Sequence, residues 1–213
     1  GPETAQSVRG LGDSMIGLIK RERKGGRGSA VIEGLRHLLT VGCDCFVEMD
    51  ADFSHPPQQI PDLVASAAAR NADLVIASRY LGRSRITNWP LSRRVFSRLS
   101  NLLARTLLEV PVHDYTNGFR YYSRRAAELI AASCGTRGTG FIALSEILVS
   151  IYYSGMQVAE IPTHFVNRVR GESSMNHREI TNALLGLFRI YRLKRELSDH
   201  RPGRQPRNEL TGG

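Results

Sequence analysis

The sequence predicts an α/β protein in which helices flank a mostly parallel central sheet. Short apolar runs of strand length, at residues 45–49 and 74–77, alternate with longer segments whose apolar residues recur at helical spacing. Such alternation is typical of parallel sheets, because consecutive parallel strands are usually joined by a covering helix. The chain has 213 residues, 41% of them hydrophobic, which is enough for one domain with a packed core.

Three strands and two helices are predicted in the first half of the chain. The strands are the apolar runs at 15–19, 45–49 and 74–77. One helix extends from Ser29, a suitable N-cap, to about residue 39. The second helix ends near residue 69, and its entry is marked by three prolines: Pro56, Pro57 and Pro61.

The second half begins with a long helix that follows Trp89-Pro90 and ends near residue 108. Its apolar side is formed by Val95, Phe96, Leu99, Leu102, Leu103 and Leu107. The remaining predicted strands are 119–122, 158–161 and 164–166, and the remaining helices are 125–132, 140–154 and 179–196. After residue 198 the composition turns polar, so we predict one domain at 1–197 and a disordered basic tail at 198–213.

Charge and cysteine usage narrow the class of partner and the compartment. The formal net charge of +9 favours phosphate-rich partners such as nucleotides, nucleic acid or anionic lipid. No apolar run reaches the roughly 18 residues that span a bilayer, and no Cys-x-x-Cys pair indicates zinc. We interpret Cys43 and Cys45 as small buried residues in a reducing compartment, and we expect a cytoplasmic location.

Two carboxylates, Asp50 and Asp52, follow the apolar run 45–49 directly. At the carboxyl end of a strand of an open α/β sheet, where ligands usually bind, two such side chains can reach one hard cation. Mg²⁺ or Mn²⁺ is usually held there by one or two carboxylates together with substrate phosphates. The pair therefore predicts a site for a metal and a diphosphate. A solvated turn after the strand is the alternative.

Several further segments keep a fixed order with the Asp50 segment between about residues 24 and 181. They are Gly28-Ser-Ala30, Ala77-Ser-Arg-Tyr80, Trp89-Pro-Leu-Ser-Arg-Arg94, Asp114-Tyr-Thr-Asn-Gly-Phe-Arg120, Gly140-Phe141 with Glu146, Glu160-Ile-Pro162 and Phe165-Val-Asn-Arg-Val-Arg-Gly-Glu-Ser173. With Asp50-Ala-Asp-Phe-Ser-His-Pro-Pro57, they make the chain resemble the dolichol-phosphate mannosyltransferases, which are inverting GT-A glycosyltransferases of family 2.

The resemblance implies a GT-A, Rossmann-like fold and a reaction between two phosphate-bearing substrates. A sugar would pass from a nucleotide donor to a polyprenyl or dolichyl monophosphate. The expected donor is GDP-mannose, which supplies mannose, and a UDP-sugar is the alternative. One alternative is a family 2 enzyme with a hydroxyl acceptor. The other is a non-catalytic basic module that binds RNA or lipid, although the absence of an RNA-binding signature argues against nucleic acid as a partner.

The resemblance also assigns roles to the aspartates and to several arginines. Asp50 and Asp52 would hold Mg²⁺ or Mn²⁺ and the donor diphosphate, with Ser54 as a weaker third ligand. Arginine forks would hold the phosphates of the two substrates, because they pair with phosphate oxygens and stay charged. The candidates are Arg79, Arg93 and Arg168, with Arg94 and Arg170 as close alternatives; solvated surface arginines are the other interpretation.

Three further residues of the matched segments are candidates for substrate binding. Asp114 hydrogen-bonds the sugar or orients an arginine, and with Thr116 it also suits a polar turn in which Gly118 permits a tight backbone. Other family 2 enzymes carry their catalytic base on the helix that corresponds to 140–154. Glu146 is therefore interpreted as a sugar-binding residue, with a base for a hydroxyl acceptor or a surface glutamate as alternatives.

The chain departs from the family pattern in two places. The first strand of the family, which contacts the nucleotide base, has no counterpart here, so we expect an unpaired sheet edge and little or no activity from these 213 residues alone. The family's Gly-x-Ser-Lys pattern is replaced by Gly171-Glu-Ser-Ser174, which removes one cation.

A lipid acceptor implies work at the cytoplasmic face of a membrane, as a peripheral protein with a possible membrane-anchoring partner subunit. The last predicted helix offers an apolar stripe with basic neighbours, which suits an anionic leaflet. The stripe consists of Ile180, Leu184, Leu187 and Tyr191. Packing of this stripe against the core is the alternative.

Overall fold

The computed structural model describes residues 2–22, 25–135, 141–167 and 177–199. Its helices are α1 (Pro2–Gly10), α2 (Gly26–Thr40), α3 (Ile60–Arg70), α4 (Leu91–Leu108), α5 (Arg124–Ser133), α6 (Phe141–Tyr153) and α7 (His177–Asp199), with a short 3-10 helix at Pro57–Gln59. Its strands are β1 (Cys45–Glu48), β2 (Leu74–Ser78), β3 (Arg85–Thr87), β4 (Arg120–Ser123), β5 (Val158–Pro162) and β6 (His164–Val166). Each predicted helix is present, whereas α1 and β3 are additions.

A four-stranded sheet with the order β1-β4-β2-β5 forms the centre of the described chain. β2 and β5 pair in parallel, with Leu74 opposite Val158. β4 lies between β1 and β2 and is antiparallel to both. Three of the four strands therefore run in one direction, as expected for a mostly parallel sheet. The reversed strand has no signature in the sequence, because side chains alternate in the same way in parallel and antiparallel strands.

Helices cover both faces of this sheet. All five residues of β2 are buried, and its four apolar residues alternate between two apolar clusters. Leu74 and Ile76 belong to the larger cluster, to which α2, α4, α5, α6 and α7 contribute. Val75 and Ala77 belong to the smaller cluster, which includes Leu63 of α3. The candidate site residues Asp50 and Arg79 follow the carboxyl ends of β1 and β2.

A second, two-stranded sheet consists of β3 and β6, which pair in parallel. Backbone hydrogen bonds join each of its strands to a neighbouring segment of the chain. The Arg85 N–H donates to the Thr163 carbonyl at 3.0 Å, and the Val166 N–H donates to the Ser54 carbonyl at 3.1 Å. This small sheet therefore fixes the loop after β1 relative to the loop after β2.

Two expectations about local structure are wrong. Residues 15–19 form no strand and their apolar side chains are exposed, with Met15 at 90%. No strand of the described chain lies beside them to complete a ladder, and apolar content alone does not make a strand. Cys45 is exposed rather than buried, and Cys43 is half-buried. At the edge strand β1, Phe46 points into the core and Cys45 points outward.

The chain end differs slightly from the predicted domain boundary. α7 continues to Asp199, and Ser198 is buried. The predicted disordered tail at 198–213 lies otherwise outside the described residues. Within the described part of the chain, no helix combines the length and apolar character needed to span a membrane.

Candidate active site

The predicted metal ligands lie where the chain leaves the carboxyl end of β1. Asp50 is half-buried and Asp52 is exposed. Asp52 closes a tight turn by accepting a hydrogen bond from the Ser54 N–H at 3.0 Å, and Ser54 itself is buried. Between them, Phe53 has a φ of 62°, a left-handed conformation that is uncommon for a residue with a side chain. We call residues 50–55 the acidic loop.

His55 supports the acidic loop from inside the protein. Its Nδ1 accepts a hydrogen bond from the Asp50 N–H at 3.2 Å, which leaves Nε2 to donate to the Asn117 side chain at 3.0 Å. The ring stacks on Phe119 and meets Phe165 edge-on, with centroids 5.2 and 5.5 Å away. Burial lowers the pKa of His55, so the ring stays neutral and keeps this hydrogen-bond pattern. These contacts give His55 a structural role.

Arg27, in the first turn of α2, binds both acidic residues at this end of β1. Its Nε donates to Glu48 at 3.1 Å, and its two terminal nitrogens meet the two oxygens of Asp50 at 3.0 and 2.9 Å. Burial alone would lower the pKa of Arg27, but the charges of Glu48 and Asp50 outweigh it and raise that pKa. A permanent positive charge therefore faces Asp50.

Arg27 has no predicted role from the sequence, because it lies 23 positions before Asp50 and shares no local motif with it. The role of Gly118 is linked to this arginine. Arg27 Nη2 donates to the Gly118 carbonyl at 3.3 Å, and a Cβ at position 118 would collide with the guanidinium. Gly118 has no left-handed backbone conformation that would require glycine. Its missing side chain makes room for Arg27, which corrects the expected reason for this glycine.

Arg79 and Asp114 form a buried, two-pronged ion pair. Arg79 Nε and Nη2 donate to the two carboxylate oxygens of Asp114, each at 2.7 Å, and the Arg79 backbone N–H adds a bond at 3.0 Å. Nη2 also donates to the Thr116 hydroxyl at 2.7 Å. Burial alone would raise the pKa of Asp114, but the charge and hydrogen bonds of Arg79 hold it below its usual value.

Asp114 also organises the turn that follows it. Its Oδ1 accepts hydrogen bonds from the backbone N–H groups of Thr116 and Asn117 at 3.2 and 3.0 Å. Of the roles that the sequence left open for Asp114, the structure shows two, the orientation of an arginine and the stabilisation of a turn. A contact with the sugar stays a prediction.

Arginines line a cavity of about 360 Å³ next to this ion pair, which we call the basic cavity. Its lining residues are Arg79, Ser84, Arg85, Ile86, Thr87, Arg94 and Arg98. Arg94 donates from Nη2 to the Ile86 carbonyl at 2.5 Å, whereas its buried Nε has no hydrogen-bond partner among the described residues. A buried donor on a permanently charged side chain fits an anion that binds in this cavity.

The structure also distinguishes Arg93 from Arg94, which the local sequence spacing leaves as alternative phosphate-binding residues. The Arg93 guanidinium stacks on the ring of Trp89 at 4.4 Å and donates to the Asn167 side chain at 3.4 Å. Arg94 lines the basic cavity and Arg93 is not among its lining residues. The neighbour named as an alternative is therefore the one that faces the cavity.

Glu146 is buried within α6, at 1% exposure, and not on a helix surface. Burial raises the pKa of the nearby Cys134 thiol, and the charge of Glu146 adds to this increase. The surface alternative for Glu146 is therefore wrong, while sugar binding and base catalysis stay predictions. Arg168, Arg170 and the departure at residues 171–174 lie outside the described residues.

One aromatic ring connects the acidic loop with the basic cavity. Phe165 of β6 contacts the ring of His55 at 5.5 Å and the ring of Trp89 at 5.4 Å. The same ring lies 5.6 Å from the Arg79 guanidinium carbon. Within the described ranges, no group of three His, Cys, Asp or Glu side chains could hold a metal ion. A cation at the acidic loop would thus depend on two carboxylates and on oxygens from its substrate.

The chain belongs to glycosyltransferase family 2. The model of that family, described as glycosyl transferase family 2, matches residues 2–130, which is more than half of the chain. The acidic loop, the Arg27 contacts and the Arg79–Asp114 pair all lie within this matched region. The protein is therefore a glycosyltransferase enzyme by family, with an α/β fold in which helices flank a mostly parallel sheet.

Two relatives of known name match most of the chain. Undecaprenyl-phosphate mannosyltransferase of Micrococcus luteus is 36% identical over 185 residues, which are 85% of this chain and 74% of that protein. Polyprenol monophosphomannose synthase of Mycolicibacterium smegmatis is 35% identical over 169 residues, which are 79% of this chain and 63% of that protein.

Among solved structures, glucosyl-3-phosphoglycerate synthase from Mycobacterium tuberculosis, in complex with Mn²⁺, UDP-glucose and phosphoglyceric acid, gives a TM-score of 0.48. The two chains are 18% identical, and the match covers 86% of this chain and 56% of that one.

Proposed function

We propose that this chain transfers mannose from GDP-mannose to a polyprenyl monophosphate, with inversion at C1 of the sugar. The observation that carries the proposal is that the Phe165 ring contacts both His55 of the acidic loop and Arg79, which lines the basic cavity. The two halves suit two phosphate-bearing substrates, because carboxylates suit a cation-bound diphosphate and arginines suit a monophosphate. The names of both relatives refer to polyprenyl-phosphate mannose chemistry.

Asp50 and Asp52 fit a Mg²⁺ or Mn²⁺ ion, because they are solvent-reachable carboxylates two residues apart at the end of one strand. Such an ion would neutralise the charge that develops on the departing nucleotide diphosphate. We assign Ser54 a lesser part, because it is buried. Arg27 occupies both oxygens of Asp50 and can keep its bond to Glu48 if Asp50 turns toward a cation.

The transfer step needs charge compensation more than it needs a base. An oxygen of the acceptor phosphate forms a bond to C1 of the sugar. The bond from C1 to the diphosphate oxygen breaks, and that oxygen keeps the electron pair. Because the acceptor is already an anion, no residue has to remove a proton from it. Arg94 and Arg98 would offset the repulsion between the two substrates, with Arg168 as a further candidate.

Asp114 and Thr116 act through Arg79 in this proposal. They hold its guanidinium in one orientation at the wall of the basic cavity. A fixed cation stabilises developing charge without having to reorganise during the reaction. Since the acceptor is a membrane lipid, we further propose that the protein works as a peripheral enzyme at the cytoplasmic face of a membrane.

A lipid-extraction assay tests the proposal. The assay uses the chain extended at its N-terminus by a first strand of the family pattern, because little activity is expected from these 213 residues alone. The extended chain is incubated with polyprenyl phosphate in detergent, Mn²⁺ or Mg²⁺, and labelled GDP-mannose or UDP-glucose in parallel, and label in the organic phase is counted. We expect metal-dependent label from GDP-mannose. Asp50→Asn should abolish it, whereas the exposed Asp62→Asn, a matched loss of one carboxylate on α3, should retain it.

The other outcomes are equally clear. Label from UDP-glucose alone would identify UDP-glucose as the donor in place of GDP-mannose and would leave the proposed acceptor unchanged. Label that appears only in a water-soluble product would favour a hydroxyl acceptor, with Glu146→Gln as the next variant to test. A folded chain that binds the donor in the presence of metal but labels neither phase would overturn the proposal.

A further inference from the structure

α4 presents its apolar side to solvent and packs on the protein with its other side. The residues that it buries are Asn101, Ala104 and Leu108. Five large apolar side chains of the helix are between 43% and 75% exposed: Leu91, Val95, Leu99, Leu102 and Leu103. Most of the predicted apolar side of this helix is therefore not part of the core.

The exposed side chains form a continuous stripe. Leu91, Val95, Leu99 and Leu102 lie at positions i, i+4, i+8 and i+11, which is an arc of about 80° on an α-helix with 3.6 residues per turn. Exposed apolar patches of this kind usually mark an interaction site. We call these four residues together with Leu103 the α4 stripe.

Positive charge accompanies the α4 stripe along one edge. Arg94, Arg98 and Arg105 follow one another at spacings of four and seven, on the side of the helix between the stripe and the buried residues. Two of them, Arg94 and Arg98, also line the basic cavity. The helix thus joins an exposed apolar surface to the cavity that suits a phosphate.

Polar contacts hold α4 in this orientation. Asn101 accepts the Tyr115 N–H at 2.7 Å, and Lys194 of α7 donates to the Leu107 carbonyl at 3.2 Å. A helix that is anchored by a buried asparagine and a lysine on one side cannot turn its leucines inward without leaving these groups unsatisfied. The exposure of the stripe is therefore built into the packing of the helix.

We propose that the α4 stripe is the membrane-docking surface of this protein and that its occupant is an anionic lipid leaflet. A helix with an apolar face and arginines at its edge lies in the plane of the membrane interface. Its arginines then meet anionic headgroups, to which the chain's charge of +9 is complementary. In that position the basic cavity is held at the level of the lipid phosphates. This inference rests on the proposed lipid acceptor.

The stripe predicted on α7 is less suited to this role. Leu187 and Tyr191 are half-buried and pack against the larger apolar cluster. For these two residues the core-packing alternative is the correct one. The side chains of Ile180 and Leu184 lie outside the description. Among the side chains of α7 that the structure describes, the large apolar ones exposed to solvent are Leu185 and Phe188.

Vesicle flotation tests the docking surface. The chain and the variant Leu99→Glu/Leu102→Glu are floated with vesicles of phosphatidylcholine mixed with phosphatidylglycerol, and with phosphatidylcholine alone. We expect the wild-type chain to bind the anionic vesicles and the variant to bind about tenfold more weakly, since two inserted side chains become charged. Leu38→Glu/Val64→Glu, with the same change of charge on α2 and α3, should bind as the wild type does.

The assay of transfer to polyprenyl phosphate in detergent separates this inference from the proposed function. The α4 variant should keep that activity and lose transfer to acceptor embedded in vesicles. Equal flotation of the wild-type chain and the α4 variant would overturn the inference, as would a wild-type chain that is active in detergent but binds no vesicles. A dimer that the α4 substitutions convert to a monomer, with vesicle binding unchanged, would identify a second copy as the occupant instead. Vesicle binding through the α4 stripe without any sugar transfer would refute the proposed function but would support the α4 stripe as a docking surface.

Discussion

Two arginine–aspartate pairs with nearly the same geometry lie in very different surroundings. Arg79 and Asp114 are both buried, with side-chain exposures of 6% and 0%. Arg27 and Asp50 lie at the mouth of the site, with exposures of 25% and 38%. In both pairs the guanidinium meets both carboxylate oxygens. The first pair is almost completely shielded from water, with only Arg79 reaching the basic cavity, whereas water has ready access to the second.

The difference in burial gives each pair a different role. Two buried charges are strongly coupled, and the loss of one leaves the other without water or a counter-charge. Such a pair is a permanent part of the scaffold. A half-exposed pair is worth little in net free energy, because water solvates each partner when they separate. In the proposed function Asp50 would therefore exchange Arg27 for a metal ion, whereas Asp114 keeps Arg79.

The largest effect is expected at the buried pair. Asp114→Asn should lower the free energy of unfolding by about 3–5 kcal/mol, because Arg79 keeps a buried charge without its partner. The asparagine still offers an oxygen to the turn at 114–117. Urea denaturation followed by circular dichroism measures the change. Arg79→Met/Asp114→Asn should be more stable than Asp114→Asn, since it removes the unpaired charge. A single variant within 1 kcal/mol of the wild type would contradict this ranking.

An intermediate effect is expected at Asp73, a buried carboxylate whose partner Arg125 is exposed. Burial alone would raise the pKa of Asp73, but hydrogen bonds from Arg125, Ser123 and the Gln157 N–H lower it below its ordinary value of 3.8. Asp73→Asn should lower the free energy of unfolding by about 1–3 kcal/mol at neutral pH. The carboxylate stabilises the fold above the unfolded-state pKa, and this stabilisation is lost as pH falls through the lower folded-state pKa.

The pH series is the decisive measurement for Asp73. The difference between the wild type and Asp73→Asn should be constant from neutral pH down to about pH 5 and should shrink below about pH 4. A difference that grows with acidification would show that the sign of the pKa change is wrong. Asp62→Asn, on the solvent side of α3, serves as the control and should leave the pH dependence unchanged.

A smaller change in stability, with a change in metal affinity, is expected for Arg27→Leu. The free energy of unfolding should fall by about 1 kcal/mol, because the pair is half-exposed. Mn²⁺ affinity, measured by electron paramagnetic resonance without any sugar nucleotide, should increase about fivefold, since the guanidinium no longer competes for Asp50. Arg36→Leu removes the same charge from α2, at a guanidinium that binds the Ala131 carbonyl, and should not change the affinity.

The result for Arg27 distinguishes two roles. Weaker Mn²⁺ binding by Arg27→Leu than by Arg36→Leu would mean that Arg27 orders Asp50 for the ion and does not compete with it. That outcome would remove the contrast between an exchangeable pair and a permanent one.

The smallest effect is expected for the exposed pair of Arg124 with Asp44. The Asp44 side chain is 88% exposed and 3.3 Å from the guanidinium. Asp44→Asn should change the free energy of unfolding by less than about 0.5 kcal/mol, and added salt should abolish even that. A change as large as that of Asp73→Asn would show that burial does not rank these pairs.

Local patterns in the sequence are sufficient to predict the position of most helices and strands. The periodicity of α2, α4, α5 and α6 and the apolar runs of β1 and β2 give bounds that agree with the structure within three residues. The same kind of pattern failed at 15–19, where an apolar run has no neighbouring strand in the described chain. A strand is defined by its partner, which no local window contains.

The candidate site was predictable only in part. Asp50 and Asp52 lie two positions apart in one motif, so their position after β1 could be expected. Arg27 could not be expected, because its contact with Asp50 joins residues that are distant in the chain. The choice between Arg93 and Arg94 depends on the rotation of α4 about its axis, which is set by the packing of its buried residues.

The sequence by itself determined the family, the α/β class and the location of the acidic residues, because these follow from short motifs and from local periodicity. Only the tertiary structure decided the reversed direction of β4, the partner of Asp50 and the exposure of the α4 stripe. A periodic apolar pattern shows that a helix has an apolar side. Whether that side meets the core or the solvent depends on the neighbours that the fold provides, as Asn101 and Lys194 do for α4.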